Sequence, residues 1–115
     1  MKNIDPASML NFIKWITESG DRPMLVVETF HKGVVMPSDL YHDKEQAFCL
    51  DPNAIRNLKI DRSTISFVAY FSGNPFTLTI PHEAIVDIYG ENSGSSYLDI
   101  KETTSNIVAF VKKDK

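Results

Sequence analysis

The chain has 115 residues, of which 43% are apolar and 10% aromatic, enough for one core and too few for two separate ones. Its formal charge of -3 argues against a nucleic-acid binder that relies on broad phosphate neutralisation, and its single cysteine excludes an internal disulfide framework and a cysteine-rich zinc site. No apolar run reaches the length that spans a bilayer, and Met1 to Pro6 lacks the apolar stretch of a secretory signal, so a soluble protein of the cytoplasm is expected.

Asp5-Pro6 opens a helix, because Asp can cap free N–H groups and Pro suits the first helical position. Met9, Phe12, Ile13 and Ile16 repeat at helical spacing, and Ser19-Gly20 supplies the stop, so the helix runs over about 6–19. Leu10 and Trp15 widen its apolar arc to about 220°, more than the ~100° that one core contact requires. Either the helix sinks deeply into its own domain or it also packs on a partner; a self-complementary contact would give a two-fold dimer.

From Pro23 onward the pattern is that of short strands. They are expected at Met24–Phe30, Val34–Met36, Gln46–Leu50, Leu58–Ile60, Thr64–Phe71, Phe76–Ile80 and Ile85–Tyr89, with a last edge strand at Tyr97–Ile100. Asp51-Pro52-Asn53-Ala54 suggests one helical turn, and Gly90 to Ser96 must be a loop. One helix followed by short strands and tight turns predicts a mainly β fold, a small sandwich or partly open barrel behind an N-terminal α-helix.

Candidate chemistry is sparse. Cys49 lies in an apolar strand and is expected to be a small core residue. His31, His42 and His82 fall in separate connections without metal-pair spacing and are expected to be exposed. No phosphate loop or paired carboxylates stand out, so neither an enzyme nor a cofactor is expected. The hairpin of Thr64–Phe71 and Phe76–Ile80 is more informative. Ile65, Phe67, Ala69 and Phe71 share one face and Ser66, Val68 and Tyr70 the other. Ala69, small among large neighbours, either accommodates a neighbour's bulk or lets a ligand or extended peptide approach. The tail from Lys101 has four basic and two acidic residues, against eight and thirteen in the first hundred. Its apolar Ile107–Val111, followed by Lys112-Lys113, either docks on another protein or forms a final strand.

Arg22-Pro23-Met24-Leu25-Val26-Val27 with Gly33-Val34 and Pro37, Pro52 to Leu58, Phe67-Val68-Ala69-Tyr70-Phe71 with Gly73 and Pro75, and Ile80-Pro81 leading to Ile88-Tyr89 together resemble the stringent starvation protein B (SspB) family of bacterial ClpXP protease adaptors. Phe12-Ile13-Lys14-Trp15-Ile16 matches in type and position, so the similarity covers about residues 8–98. The resemblance implies an Sm-like or SH3-like barrel that dimerises through its helix, here on Met9, Phe12, Ile13, Trp15 and Ile16. It implies a groove for ssrA-type degradation-tag peptides, here Tyr41, His42, Asn57, Leu58, Val68, Ala69 and Tyr70. It further implies residues 1–100 as the binding and dimerisation domain, and a tail of 101–115 that docks on ClpX through Val108, Phe110, Val111, Lys112 and Lys113. Neither nucleic acid nor membrane is an expected partner, and no cofactor is implied. An Sm-like RNA-binding module and a peptide binder without a protease link are the alternatives. Two departures stand out: Val68, Tyr70 and Phe76 replace residues that are often polar or basic in the family, and the tail is short rather than a long acidic linker.

Overall fold

A computed structural model describes residues 4–99. The expected tail, including Val108, Phe110, Val111, Lys112 and Lys113, lies outside the described residues.

The N-terminal helix α1 (Pro6–Glu18) has Pro in its first turn, and Asp5 occupies the N-cap position without a side-chain capping bond. Its end is a Schellman arrangement: the Gly20 N–H donates to the Thr17 carbonyl and the Asp21 N–H to that of Ile16, both at 3.1 Å. This geometry needs a left-handed residue, and Gly20 supplies it at φ +85°. The apolar residues at helical spacing meet the core, where Met9, Phe12, Ile13 and Ile16 are all buried.

The strands form two three-stranded antiparallel sheets. The first has the order β2-β1-β6, with β1 (Pro23–Glu28), β2 (Glu45–Cys49) and β6 (Ile85–Gly90). The second has the order β3-β4-β5, with β3 (Ile55–Ile60), β4 (Thr64–Phe71) and β5 (Asn74–Pro81). The sheets do not close on each other, so the fold is a partly open barrel with one N-terminal helix, mainly β as expected. Inward residues of both sheets fill the space between them. Ile65 faces Ile80 and Phe67 faces Leu78 across the β4–β5 hairpin, and the Phe67 ring meets Phe48 of β2 edge-on at 6.1 Å. Full burial of such a side chain contributes about 1.5–3 kcal/mol.

Several expected elements differ. Val34–Met36 is reduced to one bridge, Val35 to Thr79, because Pro37 ends it. Asp51–Ala54 is a hydrogen-bonded turn rather than a helix, with the Asp51 carbonyl accepting from Ala54 at 2.8 Å and Ile55 at 3.2 Å before β3 begins. Tyr97–Asp99 is not an edge strand but the start of a helical turn. Ser96 caps it, its hydroxyl accepting from the Asp99 N–H at 3.3 Å while donating to Asp87 at 2.6 Å. The buried Tyr97 ring then lies 5.5 Å from Phe12, and its hydroxyl is 3.0 Å from the Ser8 hydroxyl. Part of the wide apolar arc of α1 is thereby covered from within the chain.

The loop after β6 is organised by Asp21, which is 8% exposed. Its carboxylate accepts from the N–H groups of Arg22, Asn92 and Ser93 at 2.8–2.9 Å. A Cβ at Gly90 would collide with this carboxylate and with the Ser93 hydroxyl, which explains the glycine. The Asn92 and Ser93 N–H groups, with that of Arg22, hold the Asp21 carboxyl well below the usual carboxylate range despite its desolvation. Because the folded value lies below the unfolded one, the stabilisation is complete above the ordinary value of about 3.9 and is lost as pH falls through the acid range. Asp21→Asn should therefore lower thermal stability at neutral pH and flatten the acid limb below pH 4. A melting curve with the same pH slope in both proteins would contradict this.

Candidate functional site: the unclosed seam between the sheets

Each sheet has two edges, and two of the four are covered. Ser96 bridges to Tyr89 of β6, and Val35 exchanges backbone hydrogen bonds with Thr79 of β5 at 2.8 and 3.1 Å. Among the described residues, β2 and β3 pair with no further strand on their outer edges. Joined only by residues 50–54, these two edges border the side on which the barrel remains open.

Helix α1 lies across one end of this seam and leaves a cleft of about 510 Å³. Leu10, Lys14 and Thr17 form the helical wall, and Arg56, Asn57 and Leu58 the β3 wall. The β3 wall is irregular: pairing with β4 shifts register between Arg56 and Lys59, and Asn57 sits at φ +56°. Asparagine tolerates this left-handed conformation better than bulkier residues, which accounts for its presence in the bulge. The Arg56 guanidinium donates to the carbonyls of Pro52 at 3.2 Å and Ile55 at 2.9 Å, fixing the turn that enters β3. Leu10 is 36% exposed, so the apolar part of the cleft is open to solvent.

The seven expected peptide-contact residues do not share one wall. Asn57 and Leu58 line the cleft. Ala69 is half-buried on the inward face, paired with Ile55 on β3 and with Phe76 on β5. Val68 and Tyr70, its strand neighbours, project to the opposite face, with Val68 paired to Arg56 and Thr77 and Tyr70 to Pro75. Tyr41 is half-buried against the core, but its hydroxyl is committed to its own loop. It donates to the Val34 carbonyl at 2.9 Å and accepts from the Met36 N–H at 3.3 Å. His42 is exposed in the following turn. Ala69, with the half-buried Phe71, Phe76 and Leu40, belongs to the apolar lining that borders the core. Leu10, Lys14 and Thr17 were not singled out as site residues; the one signal was the widening of the apolar helix face by Leu10, since Lys14 and Thr17 are polar.

Of the five expected dimer residues, Met9, Phe12, Ile13 and Ile16 are 0–6% exposed and belong to the chain's own core. Trp15 is half exposed, its ring 5.7 Å from Phe12. A partner would meet Trp15 rather than the four buried side chains.

Two expectations about reactive groups are corrected. Cys49 is not a core residue: Phe48 and Leu50 point inward, so strand alternation turns Cys49 outward against the Arg22 side chain. His82 is not exposed but 5% exposed, enclosed where the chain passes between the sheets. Among the described residues, no three His, Cys, Asp or Glu side chains converge as metal ligands, and no helix is long and apolar enough to cross a membrane.

Among the described residues, a helix-backed, two-sheet open barrel with unpaired outer edges on β2 and β3 and an apolar cleft between α1 and β3 defines a small, mainly β module. The family model described as Stringent starvation protein B matches residues 3–105, and the chain belongs to that family. It is 28% identical over 93 residues to a protein named stringent starvation protein B homolog from Haemophilus influenzae. That match covers 81% of this chain and 62% of the relative's length.

Proposed function

We propose that this chain is a non-enzymatic proteolysis adaptor, which captures ssrA-type degradation-tag peptides and delivers the tagged proteins to ClpXP. The observation that carries the reading is the open seam, where the outer edge of β3, unpaired among the described residues, borders an apolar cleft. An extended peptide added there gains main-chain hydrogen bonds for affinity, and alternate side chains enter pockets for specificity. Leu58 and Asn57 contact the peptide in the cleft, while Ala69 keeps the adjoining inward face low. Tyr41 contributes by holding its loop beside that face, and His42, Val68 and Tyr70 form an outer rim. Family membership supports the adaptor class.

In this reading residues 1–100 bind the tag and dimerise, and the tail of 101–115 docks on ClpX through Val108, Phe110, Val111, Lys112 and Lys113. Tethering then raises the local concentration of substrate at the unfoldase, to about millimolar for a short flexible linker that spans the sites. Fluorescence anisotropy of a labelled ssrA peptide titrated with the full chain should give saturable binding. Deleting Ile107–Lys115 should leave that affinity unchanged and abolish ClpXP delivery. No binding at millimolar protein would overturn tag capture, and undiminished delivery by the truncated chain would overturn the docking role.

The dimer of this reading rests on the exposed flank of α1. Trp15→Asp should shift the protein to monomer in sedimentation velocity, because an unpaired charge cannot be buried in an apolar contact. A profile unchanged from the parent would exclude this interface.

A further inference from the structure

His82 is the one histidine of three that the fold buries. It begins the 3-10 turn His82–Ala84, which carries the chain from β5 in one sheet to β6 in the other. Its backbone N–H donates to the Ser63 carbonyl at 2.9 Å, which fastens this crossing to the turn between β3 and β4. The ring is held inside, and its Nε2 atom has no hydrogen-bond partner. A neutral imidazole tolerates that situation at the modest cost of one unmet acceptor or donor. A protonated ring would bury a positive charge with an N–H that nothing accepts, which is far less favourable.

The surroundings offer little compensation. Asp61, in the β3–β4 turn, is the acidic group among the described residues whose charge favours the imidazolium, and the Thr64 carbonyl acts in the same direction. Asp61 is already engaged, its Oδ1 accepting from the N–H groups of Ser63 at 3.0 Å and Thr64 at 2.9 Å. Glu83, next in the same 3-10 turn, is exposed. Desolvation outweighs the favourable contributions and holds the His82 ring below the ordinary histidine value.

We propose that His82 is an acid-sensitive lock between the two sheets, which stays closed while the ring is neutral and opens the β5-to-β6 crossing when the ring takes a proton. The direction follows from linkage. The folded ring binds protons less readily than the unfolded one, so stability is complete above about pH 6.5 and falls as pH drops below it. The fall levels off once the pH passes the lower value of the folded ring.

Urea unfolding of the full chain at pH 7.5 and 5.5 tests this. Between those conditions the wild-type unfolding constant should rise more than that of His82→Leu, by up to about tenfold, the limit reached when the folded ring takes no proton at pH 5.5. The same difference should appear when His82→Leu is made in a His31→Gln/His42→Gln background. Equal pH dependence in wild type and His82→Leu would overturn the proposal. NMR titration of the wild-type ring protons provides the second measurement if His82→Leu does not fold. The His82 ring should titrate below the ordinary histidine value, with the Ser63 and His82 amide signals changing at the same midpoint. Titration of the His82 ring at or above the ordinary histidine value would equally overturn the lock.

Discussion

Ala69→Gln should reduce affinity for an ssrA-type peptide at least tenfold, a loss of about 1.4 kcal/mol or more. Ala69 is half-buried on the inward face of β4, between Ile55 and Phe76, and packs against the core. Glutamine adds a long stem and an amide with its own hydrogen-bonding demands. If the amide reaches solvent, it occupies the path of the peptide backbone. If it is forced inward, overpacking destabilises the domain by about 1–3 kcal/mol. Urea unfolding separates the two outcomes, and Ala69→Gly controls for loss of the methyl group. Peptide titrating equally well into a folded Ala69→Gln variant would remove Ala69 from the site.

The second large effect concerns the core that holds the sheets together. Phe67→Ala should cost about 3–5 kcal/mol. Phe67 is 1% exposed, pairs with Leu78, and meets the Phe48 ring of the opposite sheet. Since a domain's whole stability is commonly about 5–15 kcal/mol, the variant should be partly unfolded near physiological temperature. Phe67→Leu retains most of the volume and should cost clearly less. A melting temperature within a degree or two of wild type for Phe67→Ala would show that the Phe48–Phe67 contact does not join the sheets.

Much of the architecture was legible because it rests on local rules. The helix over 6–19 followed from a capped start, a 3.6-residue apolar period and a glycine stop, and α1 ends one residue earlier. The strand Thr64–Phe71 has the expected limits, and its inward residues Ile65, Phe67 and Ala69 pair with Ile80, Leu78 and Phe76 of β5. Elements whose conformation depends on distant groups were harder to read. Tyr97 resembled a strand residue, but Asp87 and Ser96 bend the chain into a helical turn there. Asp21 resembled one more loop carboxylate, and only the fold brings the Asn92 and Ser93 amides to it.

The candidate site divides in the same way. Alternation along a strand already separates Ala69 from Val68 and Tyr70, so that part of the arrangement was present in the sequence. The cleft was not, because it depends on how α1 lies against the edge of β3 and on the bulge at Asn57. The helix face was rightly found too wide for one contact, but its flanks have separate fates: Tyr97 packs on Phe12, while Leu10 lines the cleft.

Residue order alone determined the N-terminal helix, most of the strands, which side of β4 faces inward, and the family of the chain, since these depend on period, turn residues and a run of matching residues. Tertiary structure decided which strand edges remain unpaired, that His82 is enclosed while His42 is not, and that Cys49 faces Arg22. Those outcomes depend on groups far apart in the chain meeting across the barrel, and no local pattern encodes which distant atoms will exclude water from a given side chain.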